Sequence, residues 1–304
     1  MTACRPAPSF HFAYVTNFND DTISVIDTRT KKVAATIKTG RGPFEIAVTP
    51  DRKFAYVVNK NENTAQVISR KTNKIIRTIR VGKAPSDVGT SRNFVYVTNS
   101  ADRTVSVICI KKQKVVATIK VGKNPVGVTV TPNKCALRAI GFVSNHDSNT
   151  ISIFDVKKNK VIDTIKAGVG PDQIAFTMNG KLAYVTTDKN VVLVIGVRSR
   201  RILKKIKVGR KPIGVAITPD NKFAYVANEG DNTVSVIKLR NNKVIATVPV
   251  GSKPGIAAIT QDSRFAYVAN FGENTVSVIR IRDNKVIKTI KVGNAASGLA
   301  IIPI

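Results

Sequence analysis

The chain of 304 residues carries 49 Lys and Arg against 19 Asp and Glu, a formal net charge of +30, with 43% hydrophobic residues, 6% aromatics and no Trp. That is enough apolar material for a large core built from Val, Ile and Ala, and β-branched residues of this kind favour pleated strands. No apolar run approaches the roughly 18 residues of a membrane helix. Cys4, Cys109 and Cys135 are odd in number and lack a CxxC spacing, which argues against a disulfide framework or a zinc site.

Residues 1–13 hold one Arg, two Pro and no apolar secretory core, so residues 1–9 are expected to form a tail, and the expected setting is the cytosol or a mature or truncated form of an exported protein. A first strand is expected over residues 10–17. Its pair Tyr14-Val15 recurs as Tyr56-Val57, Tyr96-Val97, Phe142-Val143, Tyr184-Val185, Tyr225-Val226 and Tyr267-Val268, at intervals of roughly 42 residues. Two residues after each Val stands Asn17, Asn59, Asn99, Asn145, Thr187, Asn228 or Asn270. A second signal places Gly three residues before Pro, as Gly40/Pro43, Gly82/Pro85, Gly122/Pro125, Gly168/Pro171, Gly209/Pro212 and Gly251/Pro254, with Ala296 replacing Pro after Gly293.

Each unit reads as four short strands, labelled A to D. One unit has A at 213–218, B at 223–228, C at 233–237 and D at 243–248, bounded by Asn, Asp, Gly and Pro turns. Four strands per period of this length define a propeller blade. Although length alone suggests two domains at about 150 residues each, the repeat predicts one all-β domain over residues 10–304, a seven-bladed β-propeller with four antiparallel strands per blade. Six blades fall at about 41–82, 83–122, 123–168, 169–209, 210–251 and 252–293. The seventh joins 10–40 to 294–304, closing the ring by pairing the C-terminal strand A with the N-terminal B-C-D strands.

The phrases Tyr14-Val-Thr-Asn17, Tyr96-Val-Thr-Asn99, Asn232-Thr-Val-Ser-Val-Ile237 and Val121-Gly-Lys-Asn-Pro125 resemble the consensus of the YVTN family of β-propeller repeats over residues 10–302. The resemblance implies the seven-bladed fold and an exported or cell-surface setting like that of surface-layer-type relatives. It also points to a similarity with lactonase-type propellers and to a DNA-binding periplasmic relative. Two units depart from the pattern: the turn at 132–142, with Lys134, Cys135 and Arg138, is long, and the unit around Tyr184 has Thr187 for Asn and a shortened next turn, features expected from repeat drift.

Because the blades are antiparallel, C–D and A–B turns share one face, and D–A and B–C loops the other. Every C–D turn carries three basic residues. They include Arg29, Lys31, Lys71, Lys74, Lys112, Lys114, Lys158, Lys160, Arg198, Arg200, Arg201, Arg240, Lys243, Arg282 and Lys285, a candidate surface for a polyanion such as nucleic acid or anionic polysaccharide. These turns lack aromatic platforms for base stacking. The opposite face is slightly acidic, and Glu45, Asp87, Asp172 and Gln173 are expected to project at the channel mouth, where the other units offer Gly127, Gly214, Ile256 and Gly298. His11 and His146 are expected at solvated peripheral positions. No HExxH, GxSxG or phosphate-binding loop is present. The expectation is a monomeric, non-enzymatic binding or scaffold propeller, with no catalytic residue, metal or cofactor and an unknown ligand or protein partner. The alternatives are polyanion binding through the basic face and lactonase-like hydrolysis at the channel mouth.

Overall fold

The computed structural model describes residues 11–132 and 139–303. The N-terminal strand β1 (His11–Asn17) leads into β2 (Thr22–Asp27) and β3 (Lys32–Lys38), and the last strand, β28 (Ala296–Pro303), pairs antiparallel with β1 to complete the order β28-β1-β2-β3. This is blade 1. Blades 2 to 7 are β4–β7 (43–80), β8–β11 (85–120), β12–β15 (125–166), β16–β19 (171–207), β20–β23 (212–249) and β24–β27 (254–291), each an antiparallel sheet of four strands. The predicted seven-bladed ring, its closure and its strand order are therefore present. In the unit used above, strand A shifts back by one residue to Pro212–Ile217, while C and D each gain one residue, as Thr233–Lys238 and Lys243–Pro249.

Among the described residues the core divides into seven hydrophobic clusters, each shared by two adjacent blades. A blade thus buries its two apolar faces only against its neighbours. The repeated aromatic-Val-Thr-Asn segment explains how they are held. Four of the six Tyr hydroxyls reach the C–D turn of the next blade: Tyr225 donates to Asn284 Oδ1 at 2.6 Å, Tyr184 to Asn242 Oδ1 at 2.5 Å, Tyr14 to Asn73 Oδ1 and Tyr267 to the Thr28 carbonyl at 3.4 Å, while those of Tyr56 and Tyr96 are buried and make no such bond among the described residues. Where Phe142 replaces Tyr, the facing turn position is Arg200, which pairs instead with Asp163 at 3.1 Å. The hydroxyl position donates to strand A of the next blade, Thr16 to the Phe44 carbonyl at 2.9 Å and Thr186 to that of Ile213 at 2.6 Å.

The Asn side chain ties strand B to strand C. Asn228 Nδ2 donates to Thr233 Oγ1 at 3.0 Å and Ser235 Oγ at 2.9 Å, and Asn17, Asn99, Asn145 and Asn270 repeat the pattern. These bonds engage the strand-C serines Ser24, Ser106, Ser152, Ser235 and Ser277. The glycine signal is the other half of this contact: a Cβ on Gly209 would stand 2.6 Å from Asn228 Cγ. Where Thr187 replaces Asn, its hydroxyl turns to the Val191 carbonyl at 2.9 Å and the matching Gly168 has open space and φ +82°. Thr187 and Gly168 therefore change together. The long turn at 132–142 lies largely outside the described residues.

Leu299 and Ile302 of β28 are 4% and 1% exposed. Replacing both with Ala removes two core side chains at about 2–5 kcal/mol each, and should lower the Tm by about 10 °C. Deleting residues 295–304 should lower it further in calorimetry; a truncated chain that melts with the intact one contradicts closure through β28.

Candidate functional site

At the mouth end, every strand A breaks register with strand B just after its first residue, as at Pro43/Ile46 and Pro171/Ile174. Such bulges re-aim side chains, here at the channel axis. The third residues of the A strands are Glu45, Asp87, Gly127, Gln173, Gly214, Ile256 and Gly298. The glycines answer a close approach: a Cβ on Gly127, Gly214 or Gly298 would lie 2.6, 2.3 or 2.5 Å from a carbonyl oxygen of the next blade. The incomplete polar ring is thus a packing requirement.

Two cavities result. A funnel of about 310 Å³ opens between the D–A and B–C loops, with Phe44, Val126, Ile213, Ile256 and Phe271 as its apolar wall and Glu45, Lys60, Asp172, Gln173, Glu229 and Lys253 among its polar lining. Below it lies a second space of about 290 Å³, lined by Glu45, Asp87, Gln173, Ile256 and strand backbone. Glu45, Gln173 and Ile256 border both and form the waist. All four predicted mouth residues therefore line this channel, with Asp87 beneath the waist.

Asp87 and Glu45 are 5% and 7% exposed and held by strand-A amides. Val88 N donates to Asp87 Oδ1 at 2.8 Å, and Val128 N from the adjacent blade to Oδ2 at 2.6 Å. Ile46 N donates to Glu45 Oε1 at 3.1 Å. Burial nevertheless outweighs the bonds to Asp87 from Val128, Val88 and Gln173 and pushes it up to about 7. Burial, reinforced by the Asp87 charge, holds Glu45 well above the carboxylate range. Burial also raises Asp172 to about 7, against the opposing charge of His146.

His146 lies on the B–C loop of blade 4 with 32% of its side chain exposed, but it has carboxylate partners that its sequence position did not reveal. Its Nδ1 lies 2.8 Å from Asp147 and its Nε2 3.0 Å from Asp188 of the next blade. Burial lowers it, but the Asp147 bond and the charges of Asp188 and Asp172 prevail and raise it. The linear sequence hid this because Asp188 is brought to His146 only by blade stacking. Phe44, Lys60, Phe271 and Lys253 were likewise missed as lining. The side chain of His11 lies outside the described detail.

The fifteen C–D turn cations sit on the opposite face, all exposed except the half-buried Lys31 and Arg200. They spread over seven turns and do not converge, and beside them the described pockets offer only a shallow space lined by Arg52, Lys53, Phe54, Ser69, Arg70 and Lys71. Among the described residues no group of three or more His, Cys, Asp or Glu could hold a metal ion, and no helix is long and apolar enough to cross a membrane.

Fold and channel together define a seven-bladed propeller with a one-sided funnel. A family model described as YNCE-like beta-propeller matches residues 2–101 and 132–222, and one described as Lactonase, 7-bladed beta-propeller matches residues 198–298. The chain belongs to the YNCE-like β-propeller family, in agreement with its YVTN-type repeats. Among curated proteins none matches it. Similar solved structures include Kuenenia stuttgartiensis hydrazine synthase, at 22% identity and TM-score 0.80 over 88% of this chain and 91% of that one. A functionally unknown protein from Desulfotomaculum acetoxidans DSM 771 aligns at 18% and 0.82 over 95% and 98%. The dihydro-heme d1 dehydrogenase NirN in complex with DHE aligns at 14% and 0.69 over 92% and 63%. At these identities the likeness shows the fold alone.

A carboxyl kept protonated by the fold ionises freely once unfolded, so its contribution to stability is full below the unfolded pKa near 4 and is lost as pH rises toward about 7. Asp87→Asn removes this dependence while turning an amide toward the Val88 or Val128 N–H. The stability difference between wild type and Asp87→Asn should therefore be larger at pH 4.5 than at pH 7.5 in parallel denaturant melts. A constant difference contradicts a protonated Asp87.

Proposed function

We propose that this chain is a non-enzymatic binding propeller whose ligand site is the funnel on the D–A/B–C face. The observation that carries the reading is a concave, half-open lining that combines Phe44, Ile213 and Phe271 with charged Lys60, Lys253 and Asp172, the mixture of apolar wall and few polar groups that small-molecule sites use. Hydrolysis is the weaker reading. The buried carboxyls of Glu45 and Asp87 are engaged by strand amides, and the lactonase-type match over 198–298 omits Glu45, Asp87 and Asp172.

Gly255 supplies a direct test. It lines the funnel, and a Cβ there meets nothing within 4 Å, so a side chain at this position starts into open space and Gly255→Trp serves as the plug. In a thermal-shift screen of small metabolites, compounds should stabilise the wild type and not Gly255→Trp. Stabilisation that survives the plug, or turnover of a lactone and ester panel lost in Asp172→Asn, would overturn the reading.

A second reading rests on the exposure of the C–D turn cations. If that face engages a polyanion, binding of labelled duplex DNA or heparin should weaken linearly in log salt, by about 0.9 per neutralised phosphate for duplex. It should also fall at least tenfold when Arg198, Arg200 and Arg201 are replaced by Glu, with Gly255→Trp unaffected. Absence of binding at physiological salt assigns these charges to solubility and to protection of the outer sheet edges.

A further inference from the structure

The charged groups at the funnel mouth come from several blades. Lys60 stands on the B–C loop of blade 2, and Lys253 on the loop entering blade 7, beside the aromatic wall of Phe44 and Phe271. Asp172 is the second residue of β16 in blade 5. Blades 2 and 5 are three apart in a ring of seven, the largest separation available. Around these residues the rim carries local pairs, Arg41 with Glu62 at 3.3 Å, Arg210 with Asp231 at 2.5 Å, Lys211 with the lining residue Glu229 at 2.8 Å, and His146 with Asp147 and Asp188, and the lining carboxyl of Glu45 is held by the Ile46 amide at 3.1 Å.

Lys60, Lys253 and Asp172 stand outside that pairing. Among the described residues, the Lys60 ammonium meets no carboxylate and lies 4.6 Å from the centroid of the Phe44 ring, half-buried, which lowers its pKa. The Asp172 carboxyl has no hydrogen-bond or ion-pair partner among them, although it is half-buried and lines the cavity. A charge drawn partly out of water without a partner is costly. Here Lys60 and Asp172, each with its charged form disfavoured by burial and Asp172 eased only by the charge of His146, face one cavity from opposite sides, with apolar wall between them.

We propose that the funnel takes a small zwitterion, an ammonium carboxylate of the amino-acid class, with its carboxylate toward Lys60 and Lys253, its ammonium toward Asp172, and its carbon skeleton against Phe44, Ile213 and Ile256. This rests on the funnel being the binding site. It adds the chemistry of the ligand: both charges are needed, and the span between them selects chain length. A simple amine leaves the lysines unpaired and a simple carboxylate leaves Asp172 unpaired, and an unpaired buried charge is what an interface of this kind discriminates against.

The test is calorimetric titration of the full chain with 4-aminobutyrate, 6-aminohexanoate and 8-aminooctanoate, beside hexylamine and hexanoate. At least one amino acid should bind ten-fold or more tightly than both single-charge compounds. Lys60→Met should remove its advantage over hexylamine, and Asp172→Asn its advantage over hexanoate, with both variants folded by circular dichroism. Equal binding of hexylamine or hexanoate in the wild type would overturn the zwitterion, as would no binding by any of the five at millimolar concentration. Neither result touches the funnel reading, which stands or falls on the metabolite screen with Gly255→Trp.

Discussion

No blade of this molecule can bury its apolar faces alone. Each hydrophobic cluster belongs to two neighbouring sheets, so the ring has to close before any blade is fully packed, and the pairing of β28 with β1 closes it. The chain ends thereby sit in one sheet, and Leu299 and Ile302 become core residues although they lie at the extreme of the sequence. Closure also fixes the channel. Seven A strands converge on the axis, and where they crowd only glycine fits, so the polar residues at the mouth are confined to the positions that crowding leaves open.

Much of this was legible in the sequence because each repeat position carries a single physical task many times over. Tyr14, Tyr184, Tyr225 and Tyr267 bond the next C–D turn, Thr16 and Thr186 bond the next strand A, and Asn braces strand C against a glycine. Even an exception is informative, since where Thr187 replaces Asn the facing Gly168 takes a different backbone conformation with open space around it. Strand ends shifted by a residue or two, as at Pro249, because ladder pairing continues past the last periodic residue.

The site was less legible. Glu45, Asp87, Asp172 and Gln173 could be placed at the mouth by counting along strand A, but the partners of each group lie in other blades. Val128 holds Asp87 across an interface, and Asp188 reaches His146 from the next sheet. Lys60 and Phe44 come together over a span no motif marks. Charge totals pointed instead to the opposite face, where repetition multiplies one turn's Lys and Arg sevenfold without making them converge. A concave, half-dry mouth that holds Lys60 and Asp172 apart is a more demanding arrangement than an exposed ring of lysines, and it is the feature on which the functional account rests.

The account is tested most directly by methyl NMR of isoleucine-labelled protein titrated separately with 6-aminohexanoate and heparin. Ile213 and Ile256 line the funnel, whereas Ile110 and Ile281 lie in C–D turns on the basic face. Saturable shifts at Ile213 and Ile256 with 6-aminohexanoate, leaving Ile110 and Ile281 unmoved, are the predicted result. Shifts confined to Ile110 and Ile281, produced by heparin alone, would contradict it and move the working surface to the other side of the ring.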